Sequence, residues 1–343
     1  MLRKNVLLLW VLIITPLVTH AQQNNGLPRL SEYPENQQIP ENLLYTSTAV
    51  IIAPPVSREG VYPVIGNVQQ PAGAIHPVLR NLGIDPVIYY NAYNLYAGPE
   101  VTRSQVRQMR QRRIKNIILF EYDGSTYRIG LGTFNNTPDL YDRNKGVFKW
   151  EGSSLDDLLF RFRTTIAGRG LPRQNFLILE IPEFSRNADM LDGRRYESFA
   201  RNLKLDKLAV PAATDPESME RALNNYPYEY GIVDPEKDEK TLRNEGYQYI
   251  LLRLNTTGKQ IRNYLEYDQE EEPETYASVI PDSAGYKVKN IPADARVYKY
   301  YIKHIYSGDT YVGTHWDAAV NWEVALHYHI AHLRQEMNID ASR

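Results

Sequence analysis

Cysteine is absent from all 343 residues. That excludes disulfides, thiolate zinc sites, iron–sulfur ligation and a cysteine nucleophile together. Charge of one sign is not in excess either. The 39 basic side chains are matched by 41 acidic ones, unlike the markedly basic balance of a dedicated nucleic-acid binder. Neither GxxxxGKS/T nor GxGxxG occurs, and Gly130-Leu131-Gly132 falls inside a predicted strand, so a P-loop NTPase is excluded. GxSxG and HExxH are also missing, which removes the nucleophile elbow and the commonest zinc-hydrolase helix. Beyond the N-terminus no apolar run approaches the ~20 residues of a membrane span. No cofactor is implied.

What is present begins with a 43% hydrophobic composition, enough for ordinary cores, and 26 tyrosines against 8 phenylalanines and 4 tryptophans. Tyrosine combines apolar area with a polar tip and suits half-exposed surfaces. Arg3 and Lys4, the apolar residues 6–18 and Thr19-His20-Ala21 have the order of an export signal over 1–21, with a retained N-terminal anchor as the competing reading. Without a cysteine after the cut the product is not a lipoprotein. The expectation is an exported bacterial protein, periplasmic or associated with the outer membrane, with no membrane span in the mature chain.

Residues 22–43 read as an irregular leader. From 44 onward short β-branched runs alternate with amphipathic helices, which predicts an α/β protein (α+β as the variant) with mixed sheets. Strands are expected at residues 48–53, 86–90, 117–120 and 127–131. A polar helix over 100–113 and a helix capped by Ser153 or Ser154 complete the first domain, 44–170. The second domain, 171–343, repeats the first: residues 176–179 answer the strand at 50–52, Arg201 to Leu208 answer Arg80 to Val87, Tyr249 to Leu254 answer Asn116 to Glu121, and Trp316-Asp317 answers Trp150-Glu151 before a helix. This predicts two tandem, duplicated α/β domains. The second adds an acidic loop at 266–274, a C-terminal hairpin and a final helix.

Five of seven histidines follow residue 300. Glu323 and His327 share a helix face, as do His329 and His332, and a carboxylate with two imidazoles could hold zinc. Against this, His327 and His329 point about 200° apart on a helix, and the apolar stripe Trp322, Leu326, Ile330, Leu333 leaves the histidines on a solvated face. Arg103, Arg107 and Arg110 form a basic stripe that could meet the acidic run around Glu270-Glu271-Glu272, or a partner. Tyr298, Tyr300 and Tyr306 recur on one strand face.

The order strand, long link, helix, strand, helix, strong strand, antiparallel partner, helix resembles the periplasmic α/β modules of the TolB N-terminal, CsgG and LpoB-like kind. It is similar also to exported Bacteroidota proteins that carry an NTPase label, which the missing P-loop opposes. The resemblance implies a non-catalytic binding or assembly scaffold whose partner is another envelope protein or outer-membrane complex, here engaged through Arg103, Arg107, Arg110, Tyr298 and Tyr300. The alternative is a periplasmic hydrolase or a nucleotide- or sugar-binding enzyme with its site between the two halves. Converging acids or histidines in an interdomain pocket would favour that alternative; tyrosines exposed on a flat seam would favour the scaffold.

Overall fold

The computed structural model describes residues 27, 29–142, 144–185, 188–212, 215–267, 273–282 and 285–339. The export segment and Glu270-Glu271-Glu272 lie outside the described residues. Among the described residues no helix is long and apolar enough to cross a membrane.

The first half runs β1 (Ser47–Ala53), β2 (Val56–Glu59), β3 (Tyr62–Ile65), α1 (Gln69–Leu82), β4 (Asp85–Asn91), α2 (Ala92–Leu95), α3 (Pro99–Gln111), β5 (Asn116–Tyr122), β6 (Tyr127–Thr133), β7 (Phe148–Gly152) and α4 (Leu155–Ala167). Its sheet has the order β4-β1-β5-β6-β7. The first three strands are parallel; β6 follows antiparallel through the tight turn 123–126, and β7 follows antiparallel after the longer connection 134–147. β1 is buried on both faces, as its unbroken Ala49-Val50-Ile51-Ile52 run requires. On one face α1 and α4 cover Val50, Ile52, Ile118 and Phe120; on the other α3 covers Ala49, Ile51, Ile117 and Leu119. α4 begins where its cap predicts, with the Ser154 hydroxyl accepting from the Asp157 N–H at 3.2 Å.

The second half continues with β8 (Arg195–Tyr196), β9 (Leu208–Pro211), α5 (Pro216–Leu223), β10 (Tyr230–Val233), α6 (Glu239–Asn244), β11 (Tyr249–Thr257), α7 (Gly258–Tyr264), β12 (Thr275–Asp282), β13 (Gly285–Pro292), β14 (Arg296–His304), β15 (Thr310–Tyr311) and α8 (Trp322–Glu336). Its sheet order is β10-β9-β11-β14-β15-β8. With β9 taken as β1, β10 as β4, β11 as β5, β14 as β6 and β15 as β7, five strands repeat the first sheet in order and direction. α7 and the β12–β13 hairpin are an insertion where β5 and β6 share a tight turn.

The repeat expected from sequence holds in part. Asn116 and Tyr249 both open the third parallel-group strand, and both tryptophan–acid pairs precede the closing helix. The octet starting at Arg201 instead leads into β9, the counterpart of β1, whereas the octet starting at Arg80 leads into β4. Residues 176–179 are no strand. They lie outside the sheet without regular structure, with Phe176 81% and Leu177 96% exposed. Pro172 and Pro182 bracket this stretch and lack the N–H a ladder needs. The leader is irregular but not separate: Leu30, Tyr33, Ile39 and Leu43 are buried in the first half's cores. Gly130 and Gly132 are explained by that packing, since a Cβ at either would collide with Leu30 or Tyr141.

The halves share a core. Ala97 and Val101 of the first pack among Leu252, Leu254, Ile261 and Tyr301 of the second, and the Asn255 N–H donates to the Ala97 carbonyl at 2.7 Å.

Candidate ligand-binding site

In the first sheet β1 and β4 are parallel neighbours, but the chain leaves their carboxyl ends toward opposite faces: after β1 to α1, after β4 to α2 and α3. That divergence opens a crevice at the carboxyl edge of the sheet, the usual ligand position in open α/β sheets. Here it is a cavity of about 280 Å³, at the small end of small-molecule sites.

Each wall has a local cause. Below β1, Gly66 closes the β2–β3 excursion by donating to the Pro55 carbonyl at 3.0 Å, and a Cβ there would approach that oxygen to 2.9 Å. Asn67, Val68 and Gln69 follow into α1. Below β4, Asn91 caps α2, its Oδ1 accepting from the Tyr93 N–H at 2.9 Å. The outer wall is the segment after α4, where Tyr89 N–H donates to Glu183 O and Ser185 N–H to Tyr89 O, both at 2.8 Å, and seat Phe184 and Ser185 at the rim. The second half supplies Gln260 and Tyr264 from α7.

Carboxamides and aromatic rings dominate the lining: Asn67, Gln69, Asn91, Asn94, Gln105 and Gln260, with Tyr89, Tyr90, Phe184 and Tyr264. Several amides are pre-oriented. Asn67 Oδ1 accepts from Gln69 N–H (2.6 Å), Asn94 Oδ1 from the Thr256 hydroxyl (2.7 Å) and Gln105 Oε1 from the Ser185 hydroxyl (3.1 Å). With Asn91 this orients four amides, each oxygen accepting one bond, and leaves their NH₂ groups as donors toward a ligand. Tyr264 donates its hydroxyl to the Asn94 carbonyl at 3.0 Å. Burial pushes the Tyr89, Tyr90 and Tyr264 hydroxyls above the ordinary tyrosine range, so they stay neutral. Behind Tyr89 lies His76: Nε2 faces the Leu179 carbonyl at 3.0 Å, so in the neutral ring Nδ1 accepts from the Tyr89 hydroxyl at 2.9 Å. Among the described lining residues there is no acid, base or imidazole.

The residues singled out by sequence lie elsewhere, and of the candidate metal ligands only His329 and His332 come together. His329 and His332 do not lie on a solvated helix face. They are buried against Asp317, with Nδ1–Oδ2 separations of 3.2 and 3.5 Å, because the chain between β15 and α8 folds over that side of α8. Lys299 completes the cluster, its ammonium 2.8 Å from Asp317 Oδ1 and 2.7 Å from the Val312 carbonyl. Burial raises the Asp317 carboxyl, but Lys299 and the two imidazoles outweigh it and hold the group far below the usual carboxylate range. Burial and Lys299 together push His329 down to about 4. Glu323 stands at the start of α8, and His327 lines a second, more open depression of about 400 Å³ with Asp282 and Arg334. Among the described residues no group of acids and histidines could hold a metal ion.

Tyr298 and Tyr300 are 9% and 3% exposed, buried beneath α8, so the tyrosine-bearing face is core and not docking surface. Arg103 pairs with Glu100 and, at 4.0 Å, with Glu239 of the second half. Arg110 donates to the Asn136 carbonyl, and all three arginines of the stripe are exposed. A site between the halves is the alternative expected from sequence, but none of the residues lining this crevice is among those the sequence singles out. Its one signal was the density of Asn and Gln directly after two strands, in Gly66-Asn67-Val68-Gln69-Gln70 and Asn91-Ala92-Tyr93-Asn94.

Set against known protein families, curated proteins and solved structures, the chain matches none.

Proposed function

We propose that the mature chain is an exported, non-catalytic binding protein of the bacterial cell envelope that holds a small ligand in the crevice between its halves. The observation that carries this is the lining: pre-oriented carboxamides and neutral tyrosines at the carboxyl end of β4, closed by α7 of the second half. General acid–base or nucleophilic chemistry needs a titrating or activated group in reach of the ligand, and the described lining supplies only neutral hydrogen-bonding groups. Asn67 is exposed at the mouth, so Asn67→Trp should block the crevice without disturbing a core. Native mass spectrometry of the protein isolated from its own envelope fraction should show a small-molecule adduct that Asn67→Trp lacks. An adduct retained in full by the variant, or an adduct-free wild type, would end this reading.

A second reading, assembly with another envelope protein, draws on residues 176–181. Phe176, Leu177, Leu179 and Ile181 are all more than half exposed, the kind of apolar surface that marks a docking site. The resemblance to envelope assembly modules points the same way. A photo-crosslinker at Leu177 should give one discrete adduct in intact cells, and one at the equally apolar, exposed Phe160 should not; indistinguishable patterns would dismiss it.

A further inference from the structure

Resting on the crevice reading, we infer that its ligand is an uncharged saccharide, held by the amide groups of Asn67, Asn91, Asn94 and Gln105 beside the ring of Phe184. Charge is the first argument. No side chain with a formal charge is among the described residues lining the crevice, and an ion bound there would lose its water without gaining a counter-ion. That disfavours nucleotides, phosphorylated metabolites and free amino acids alike.

The α1 N-terminus does not supply the missing charge. Phosphate cradles work because several backbone N–H groups converge on one anion. Here the Gln69 N–H is already taken by Asn67 Oδ1, and the third helical position is Pro71, which has none. Of the first three positions only Gln70 keeps an N–H to give.

Complementarity is the second argument. A sugar hydroxyl both donates and accepts, and ring and glycosidic oxygens accept, so amide groups whose oxygens each accept one bond and whose NH₂ groups remain are suited to it. The Tyr90 hydroxyl, on a side chain 1% exposed, has no hydrogen-bond partner in the chain. Such an unpaired buried group calls for a partner that a ligand or water can bring. Among the aromatic residues of the lining, half-buried Phe184 at the rim offers apolar area for the C–H face of a pyranose, while Tyr89, Tyr90 and Tyr264 are buried behind the surface. At about 280 Å³ the crevice suits one or two rings, such as the end of a glycan, and not a long chain.

Asn91→Asp isolates the chemistry. It keeps the oxygen that caps α2, keeps the side-chain shape, and replaces an NH₂ donor by a carboxylate oxygen. Amide NMR titration of the full mature chain with maltose, cellobiose and chitobiose, and in parallel with ADP and alanyl-glutamate, reads out both class and place. The expected result is binding of at least one neutral disaccharide with shifts at Asn67, Asn91, Asn94 and Gln105. Its affinity should be unchanged between low and high salt and about tenfold weaker in Asn91→Asp. Binding of ADP or the dipeptide at those residues, with no sugar bound, would overturn the saccharide class while leaving the crevice as the binding site. Saturation by the whole panel without movement of those signals would also overturn the saccharide class. The adduct experiment above then decides separately whether the crevice binds anything.

Discussion

The ammonium of Lys303, on β14 of the second half, lies 3.4 Å from the carboxylate of Glu100, at the start of α3 in the first. Both are buried, and Asp192 at 2.9 Å and Glu239 at 3.0 Å complete the shell around the ammonium. Burial alone would lower the Lys303 pKa, but the surrounding carboxylates raise it above the ordinary lysine value. The halves are therefore joined by a charge network as well as by the core around Ala97 and Val101, and the crevice depends on that docking because one of its walls is α7.

Removing the cation should consequently cost more than an ordinary surface ion pair. Lys303→Met leaves buried Glu100 with only the half-exposed Arg103 beside it and takes the shared cation from Asp192 and Glu239, a loss of about 3 kcal/mol of stability. Adding Glu100→Gln to that variant should recover a large part of the loss. Urea midpoints of the single and double variants test both statements, and a double variant no better than the single would show that Glu100 is not the group left stranded.

A second buried cluster makes stability depend on pH. His329 packs against Asp317, with Lys299 from β14 and His332 from α8 also facing that carboxylate. Its folded-state pKa of about 4 lies below the unfolded value of 6.5. Above pH 6.5 the imidazole is neutral in both states and contributes nothing. As pH falls from 6.5 toward 4 the unfolded chain takes up a proton that the folded one refuses, so stability is lost across that window, about 2 kcal/mol by pH 5. Asp317, with its pKa depressed, acts lower: its contribution is present above the unfolded carboxyl pKa and disappears only on further acidification through the folded one. Unfolding curves at pH 7.5 and 5.0 should show the loss in the wild type and a smaller one in His329→Gln. Equal losses would assign the effect to other groups.

Much of this architecture was legible in the chain itself, for reasons visible at particular residues. β1 and β5 carry runs of Ile, Val and Leu that can only be buried strands, and Ser154 with Asp157 marks the start of α4. What was not legible depends on distant parts of the molecule. Periodicity places His329 and His332 beside the apolar stripe of α8, but only the fold shows that the chain after β15 covers them. Residues 176–179 have the composition of a core strand, yet Pro172, Pro182 and the anchors at Tyr89 leave them outside the sheet. The crevice draws on four segments far apart in sequence, and its amides carry no spacing pattern that a single chain reveals.

The stretch at 176–181 permits a direct check on whether it is truly uncovered. Leu177 is 96% exposed, so Leu177→Asp should change the unfolding free energy by no more than about 0.5 kcal/mol while lowering binding of a hydrophobic dye such as ANS. A loss above about 2 kcal/mol would mean that the isolated protein buries this side chain, and its availability to a partner would have to be abandoned.

The halves also approach closely at Gly98. Its backbone is extended, with φ 178°, a conformation open to any residue, so the glycine is required for space and not for backbone freedom. A Cβ there would lie 2.7 Å from the Arg253 carbonyl oxygen and 2.8 Å from a Leu254 methyl, both on β11. The first of these is backbone and cannot turn away, so Gly98→Ala must push α3 back from β11, at a cost of about 1–3 kcal/mol. The same displacement strains the bond from the Asn255 N–H to the Ala97 carbonyl and the one from the Thr256 hydroxyl to Asn94 Oδ1. Asn94 lines the crevice, so the substitution should loosen the ligand site as well as the seam. Hydrogen exchange at Asn255 should accelerate about tenfold or more in Gly98→Ala, with a lower urea midpoint. Unchanged protection at Asn255 would mean that the halves do not meet there in solution.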